Sequence, residues 1–374
     1  MDVFSLLTLG IVVVGYIGLL LYLANRAEVT RGENVAILAG AGFEDASVRA
    51  KPQPHLAIYL LNYGVIAITV CFPLLILLIA SASNDPAFGA QLGGLGAQFG
   101  PLDMNLALAT TVLGLMLALI ALLTLHLESF RILLNRLTSG GFNPMSPVHS
   151  TGVVLMMALL VLTIGQLALI GGLSGLATQL ENVTIGIPDL VFQMMLFIVV
   201  AFLAIGLIVR RNWSDSLKRL ALRLPTLGDI TWGVGMGLGL YGLLLLMIAA
   251  WAILAGPEAI AEQTAASEQL TRAFNTLPLA FAVAFTAAVG EEILFRGALQ
   301  PIFGLLLSSI YFVLVHIQYT LTPATLIILV VSLGLGWLRN RQSTTACIIA
   351  HFVYNFVQLA LVVVASQIPG VSGT

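Results

Sequence analysis

Charge is scarce in this chain: Asp, Glu, Lys and Arg make up 9% of its 374 residues, against roughly 25% in an ordinary soluble domain. That scarcity excludes a soluble globular protein. The formal net charge is −2, so the chain lacks the basic surface a nucleic acid would need, and no such partner is expected. Cysteine is nearly absent as well. Cys71 and Cys347 both fall inside apolar runs, which leaves no disulfide framework and no paired thiolate spacing for a metal. No basic stretch precedes the first apolar run, so Val3 to Ala24 reads as a retained span rather than a cleaved signal. The polar and apolar alternation of an outer-membrane barrel strand is missing too.

What is present is hydrophobic residue, 59% of the chain, in runs long enough to cross a hydrocarbon layer of roughly 30 Å. Ten spans are expected: Val3 to Ala24, Leu56 to Ser81, Leu106 to Leu127, Val153 to Leu173, Val191 to Val209, Trp232 to Leu254, Leu277 to Leu299, Leu305 to Ile317, Ala324 to Leu338 and Ala346 to Val364. The fold class is therefore all-α and polytopic, with membrane lipids as the surrounding partner. Positive charges follow the odd-numbered spans: Arg26, Arg31, Arg49 and Lys51, then Arg131 and Arg136, then Arg210 through Arg223, then Arg339 and Arg341. Arg272 alone falls on the other side. The positive-inside rule then makes these loops cytoplasmic and puts both termini outside, in a plasma or inner membrane.

A domain boundary is expected near residue 225, between an N-terminal region 1–225 of five spans, whose role nothing in it reveals, and a C-terminal region 226–374 in which intramembrane polar groups cluster. The basic segment before that boundary carries Leu217, Leu220, Ala221 and Leu224 at helical spacing opposite Lys218, Arg219 and Arg223. It reads as an interfacial linker with Trp213 at the headgroups. Gly235 and Gly239 form a small-xxx-small pair suited to close helix packing. The Gly-rich stretch 88–100 reads as a connection between spans.

The ionisable groups of the last third stand out. Glu292 and Arg296 are four residues apart on a helix, acid first, and suit an ion pair. Glu291 projects about 100° away around the axis and needs another partner. Phe312 and His316 share one helical face, as do His351 and Asn355. Polar glue between membrane helices is usually Ser, Thr or one Asn, and does not call for this much charge. A buried glutamate with a neighbouring histidine can activate water, and a second histidine with an asparagine amide can donate to an oxyanion. The same residue types, one carboxylate and two histidines, also make a catalytic zinc site. A proton-coupled transporter would use buried Glu and His as well, though with broken helices in repeat symmetry.

Three motifs in order, "EEILFR" at Glu291 to Arg296, "FVLVH" at Phe312 to His316 and "HFVYN" at His351 to Asn355, resemble the CPBP family of intramembrane proteases. That family includes the type II CAAX prenyl endopeptidases, also called Ras-converting enzymes, and bacterial proteins linked to bacteriocin processing and self-immunity. The resemblance covers residues 277 to 366. It implies an endopeptidase acting on a membrane-associated or lipidated peptide or protein. In it, Glu291 and His316 activate water, His351 and Asn355 hold the oxyanion, and Glu292, Arg296 and Phe312 support them. The family has been labelled metalloprotease. Catalysis without a cofactor is the expectation here; a zinc or other divalent ion, if used, would take Glu291, His316 and His351. A non-catalytic scaffold or immunity protein retaining the fold is the alternative. One geometric condition applies: Glu291 and His316 lie at different depths on straight spans, so an irregular segment from Gly297 to about Leu305 must bring them level.

Overall fold

A computed structural model describes residues 3–41, 56–94, 102–172, 186–255, 276–316 and 324–367. Arg49, Lys51, Arg272, Ile317 and residues 95–100 lie outside these. Among the described residues the chain is helical throughout, with no named strand. Among the described residues, nine helices are long and apolar enough to cross a membrane. The difference from ten spans arises at one place, where the seventh and eighth form a single run, Leu277–Val315. The chain groups into two compact units: residues 1–172 with 202–216 and 302–304, and residues 173–201 with 217–301 and 305–374.

The first unit is built on α1 (Val3–Gly40), α2 (Leu56–Asn84), α4 (Met104–His126) and α6 (Pro147–Leu169), with the short helices α3 (Pro86–Gln91) and α5 (Glu128–Leu137). α1 runs well past the apolar stretch that ends at Ala24, because no proline interrupts the polar residues that follow. Small residues let the helices close together: Ala118, Ala121 and Ala158 are buried with Leu20, Val65 and Val154 in one core. Pro73 lies inside α2, and Thr111 of α4 donates to its carbonyl at 3.0 Å. Ser146 caps α6, its Oγ accepting from the His149 amide, with Pro147 in the first turn where a missing N–H costs nothing.

The second unit holds most of α7 (Ile187–Ala204), much of α8 (Trp213–Leu220), and α9 (Leu227–Ala255), α10 (Leu277–Glu292), α11 (Gln300–Val315), α12 (Ala324–Arg341) and α13 (Thr344–Ser366). α13 is its centre, packed on α9, α10 and α12. The close approach of α9 to α13 does use glycines, but a pair two residues out of register from the expected Gly235 and Gly239. A Cβ on Gly237 would lie 2.6 Å from the Ala350 carbonyl oxygen, and one on Gly233 2.8 Å from Ile349, while Gly235 and Gly239 have no neighbour within 4 Å. The two glycine pairs sit about 200° apart around the helix, so only one can face α13.

The basic segment also departs from a lipid-facing stripe. Leu220 is fully buried, and its carbonyl accepts from Thr344 Oγ1. Arg219 donates to the Gly297 carbonyl at 3.0 Å, and Arg223 makes a two-pronged contact with Asp229 at 3.0 and 2.9 Å. Asp229 also accepts from Ser343, the cap of α13. These residues fasten the starts of α9 and α13 together. Leu224 and Trp213 remain exposed, as an interfacial element requires.

Candidate active site

The run Leu277–Val315 cannot be straight. A continuous helix would hold residues 291 and 316 about 37 Å apart, yet Glu291 Oε2 lies 3.5 Å from His316 Nε2. Phe295 and Phe312 likewise meet edge to face at 4.9 Å between ring centroids. Both pairs centre on residues 303 and 304, and Gly304 has φ 75° and ψ 173°, a conformation closed to residues with a Cβ. Just before it, Ile293–Leu299 is a π-helical segment, a departure often found at functional sites. The irregularity required between Gly297 and Leu305 is therefore present, and it folds α11 back along α10.

Glu291 and Glu292, though adjacent, enter different networks. Glu292 is fully buried and pairs with Arg296 at 3.2 Å, also fully buried, as their spacing predicted. Its other oxygen accepts from His351 Nδ1 at 2.9 Å. Arg296 donates to Ser332 Oγ at 3.0 Å and stacks its guanidinium 5.1 Å from the Phe312 ring centroid. Phe312 thus does more than flank His316: its ring lies 4.2 Å from that imidazole and 6.3 Å from the ring of His351. The structure gathers Glu291, Glu292, Arg296, Phe312, His316 and His351 around one ring. Asn355, half-buried, follows His351 by one turn of α13 and makes no side-chain hydrogen bond to this group among the described residues.

Ser332 was not foreseen from the sequence, because one serine in an apolar span is ordinary. Gln300 belongs with it: it donates to the Gly336 carbonyl at 2.8 Å and to Asn340 Oδ1 at 3.0 Å, tying the start of α11 to α12.

The hydrogen bonds set the chemistry of the two imidazoles. His316 Nδ1 lies 2.6 Å from the Phe312 carbonyl, an acceptor, so the proton sits on Nδ1. The neutral ring then offers Nε2 as a lone pair toward Glu291, itself an acceptor. Two acceptors 3.5 Å apart call for a shared proton or for a water that donates to both. His351 spends its Nδ1–H on Glu292, leaving Nε2 for another group. No three His, Cys, Asp or Glu side chains among the described residues converge to hold a metal ion.

Residues 273–357 match the family model described as Type II CAAX prenyl endopeptidase Rce1-like. No curated protein and no solved structure matches the chain. Taken with the nine candidate spans, the match describes a multi-pass integral membrane protein. The matched segment contains every residue of the cluster, from Glu291 to Asn355. Over residues 273–357 the chain is similar to the type II CAAX prenyl endopeptidase Rce1-like family, in keeping with the resemblance to CPBP intramembrane proteases that its three motifs carry.

Proposed function

We propose that the chain is an intramembrane endopeptidase that hydrolyses a peptide bond of a membrane-associated or lipidated substrate with a water activated by Glu291 and His316. The observation that carries this reading is the pair of facing acceptors, Glu291 Oε2 and His316 Nε2, 3.5 Å apart, with the histidine tautomer held by the Phe312 carbonyl. A water donating one O–H to each has its oxygen lone pair free to attack the scissile carbonyl carbon. As the C–O bond forms, Glu291 takes a proton from that water. The carbonyl oxygen becomes an oxyanion, which accepts from His351 Nε2 and the Asn355 amide. Donation from Nε2 requires the doubly protonated ring, with Glu292 as its counter-charge. Collapse of the intermediate re-forms the carbonyl and breaks the C–N bond, while the proton held by Glu291 passes to the leaving amine. Glu292, Arg296 and Ser332 act through His351 as positioning residues. No metal enters the sequence.

The family makes C-terminal prenylated peptides the first substrates to try. The test is cleavage of prenylated and plain peptides by the purified protein in lipid. Wild type is expected to cleave members of one class, and Glu291→Ala, equally folded, to lose at least about 100-fold, the low end for a general base. Cleavage by Glu291→Ala at the wild-type rate would contradict the assignment. Retention of activity in a zinc chelator is expected, and its loss, restored by added zinc, would replace the water pair with a metal.

A further inference from the structure

A cavity of about 160 Å³ opens within the first unit, where the start of α2, the end of α4 and the start of α6 come together beside α5. It lies far in sequence from the protease motifs and shares no residue with them. Its walls are apolar at Ile58, Leu125 and Met145, and polar at Tyr59, Asn62, Glu128, Arg131, Ser150 and Thr151.

Two of these polar groups are unsatisfied in complementary senses. Asn62 is fully buried; its Nδ2 donates to the Ile58 carbonyl at 2.8 Å and to Thr151 Oγ1 at 3.2 Å, which holds the amide in place and leaves Oδ1 without a donor. Arg131 is anchored by one amino group on the carbonyls of Thr124 and Leu125, at 3.2 and 3.0 Å, and its buried Nε has no acceptor. A native interior rarely leaves such groups unpaired. Glu128, exposed at the rim one turn before Arg131, adds a carboxylate on the same helix. The wall thus presents an acceptor and a negative charge together with a fixed cationic donor.

We propose that this cavity binds a small zwitterion, its N–H-bearing ammonium on Asn62 Oδ1 and Glu128 and its anionic group on Arg131. Size agrees. The volume is about five times the share of one liquid water, roughly 30 Å³, and well below the 300–1,000 Å³ of pockets for larger ligands. It suits a head group rather than a peptide. The helices that line it also carry exposed apolar residues, Ile132, Leu133 and Leu137 on α5 and Leu56 and Leu60 at the start of α2. An aminoethyl phosphate head group of a membrane lipid and a free amine zwitterion share the chemistry required.

The test is calorimetric titration of the full chain in detergent with short-chain phosphatidylethanolamine, phosphatidylcholine and phosphatidylglycerol, and with water-soluble glycerophosphoethanolamine. Phosphatidylethanolamine is expected to bind at least tenfold more tightly than phosphatidylcholine, whose quaternary nitrogen has no N–H for Asn62, and than phosphatidylglycerol, which has no cation. Asn62→Leu should abolish that preference. Because Asn62 is buried and its variant can fail to fold, Glu128→Gln on the exposed rim serves as the second variant, with an expected loss of about fivefold or more. Binding of glycerophosphoethanolamine as tight as that of the lipid would assign the site to a free zwitterion, and much weaker binding would assign it to the lipid. Equal binding of the three lipids, or an undiminished preference in folded Glu128→Gln, would overturn the proposal.

Discussion

At the scale of single residues, the decisive contrast is between two adjacent glutamates. Glu292 sits in a closed arrangement with Arg296 and His351, whereas Glu291 Oε2 faces His316 Nε2 at 3.5 Å. Glu292→Gln keeps the shape but leaves Arg296 buried without its counter-charge. Breaking a fully buried pair in this way costs about 3–5 kcal/mol, so thermal unfolding in detergent should show a large drop. An unchanged midpoint would mean that the pair does not hold the site. Ser332→Ala removes one hydrogen bond to the same guanidinium and should cost about 1.5–3 kcal/mol, with cleavage reduced less than by Glu291→Ala. The ion pair was legible in the sequence because four-residue spacing on a helix dictates it. The contact of His351 with Glu292 was not, since helical spacing says nothing about which of two neighbouring acids a residue from another helix will reach.

At the scale of elements, the site depends on a reversal inside what hydropathy shows as unbroken apolar sequence. The apolar runs were readable because they announce themselves, although two of the ten expected spans form one run. That two of them join through a π segment and a single glycine was not readable in detail, since "GALQPIFGLLL" contains no polar loop to mark a turn. The need for an irregularity there could be deduced from the depths of Glu291 and His316, and Gly304 supplies it. Gly304→Val forces a β-branched residue into a positive-φ conformation worth about 1–3 kcal/mol of strain. Its predicted signature is a loss of cleavage out of proportion to any loss of stability, because the Glu291 to His316 distance changes first. Wild-type cleavage by that variant would show that the reversal tolerates another geometry. The glycine-rich face of α9 offers an internal control. Gly237→Leu should destabilise strongly against the Ala350 carbonyl, while Gly235→Leu, with no neighbour within 4 Å, should stay within about 0.5 kcal/mol of wild type in the same unfolding assay. Sequence alone could not choose between these glycine pairs, because both have the right spacing.

At the scale of the whole molecule, the protease motifs occupy the last quarter of the chain, but the compact unit that contains them also takes in residues 187–201 and the segment from Leu217 onward. Leu220 is buried in that unit and Arg219 bonds to Gly297 beside the π segment. A protein truncated to 186–374 is therefore predicted to stay monodisperse in detergent, and one truncated to 226–374 to aggregate, since it loses α7 and the Arg219 and Leu220 contacts. Identical behaviour of the two by size exclusion would argue that those contacts are dispensable. The polar cavity of the first unit suggests that this part of the chain does more than anchor.

The most direct test of the central claim is a double-mutant cycle on single-turnover cleavage with Glu291→Gln, His316→Ala and the double variant, all confirmed folded. If the two side chains share one water, either substitution alone removes the activation, and the double variant should be about as slow as each single one, as for residues that act as a unit. Rate losses that multiply, or a folded His316→Ala protein as fast as wild type, would contradict the shared water and with it the mechanism.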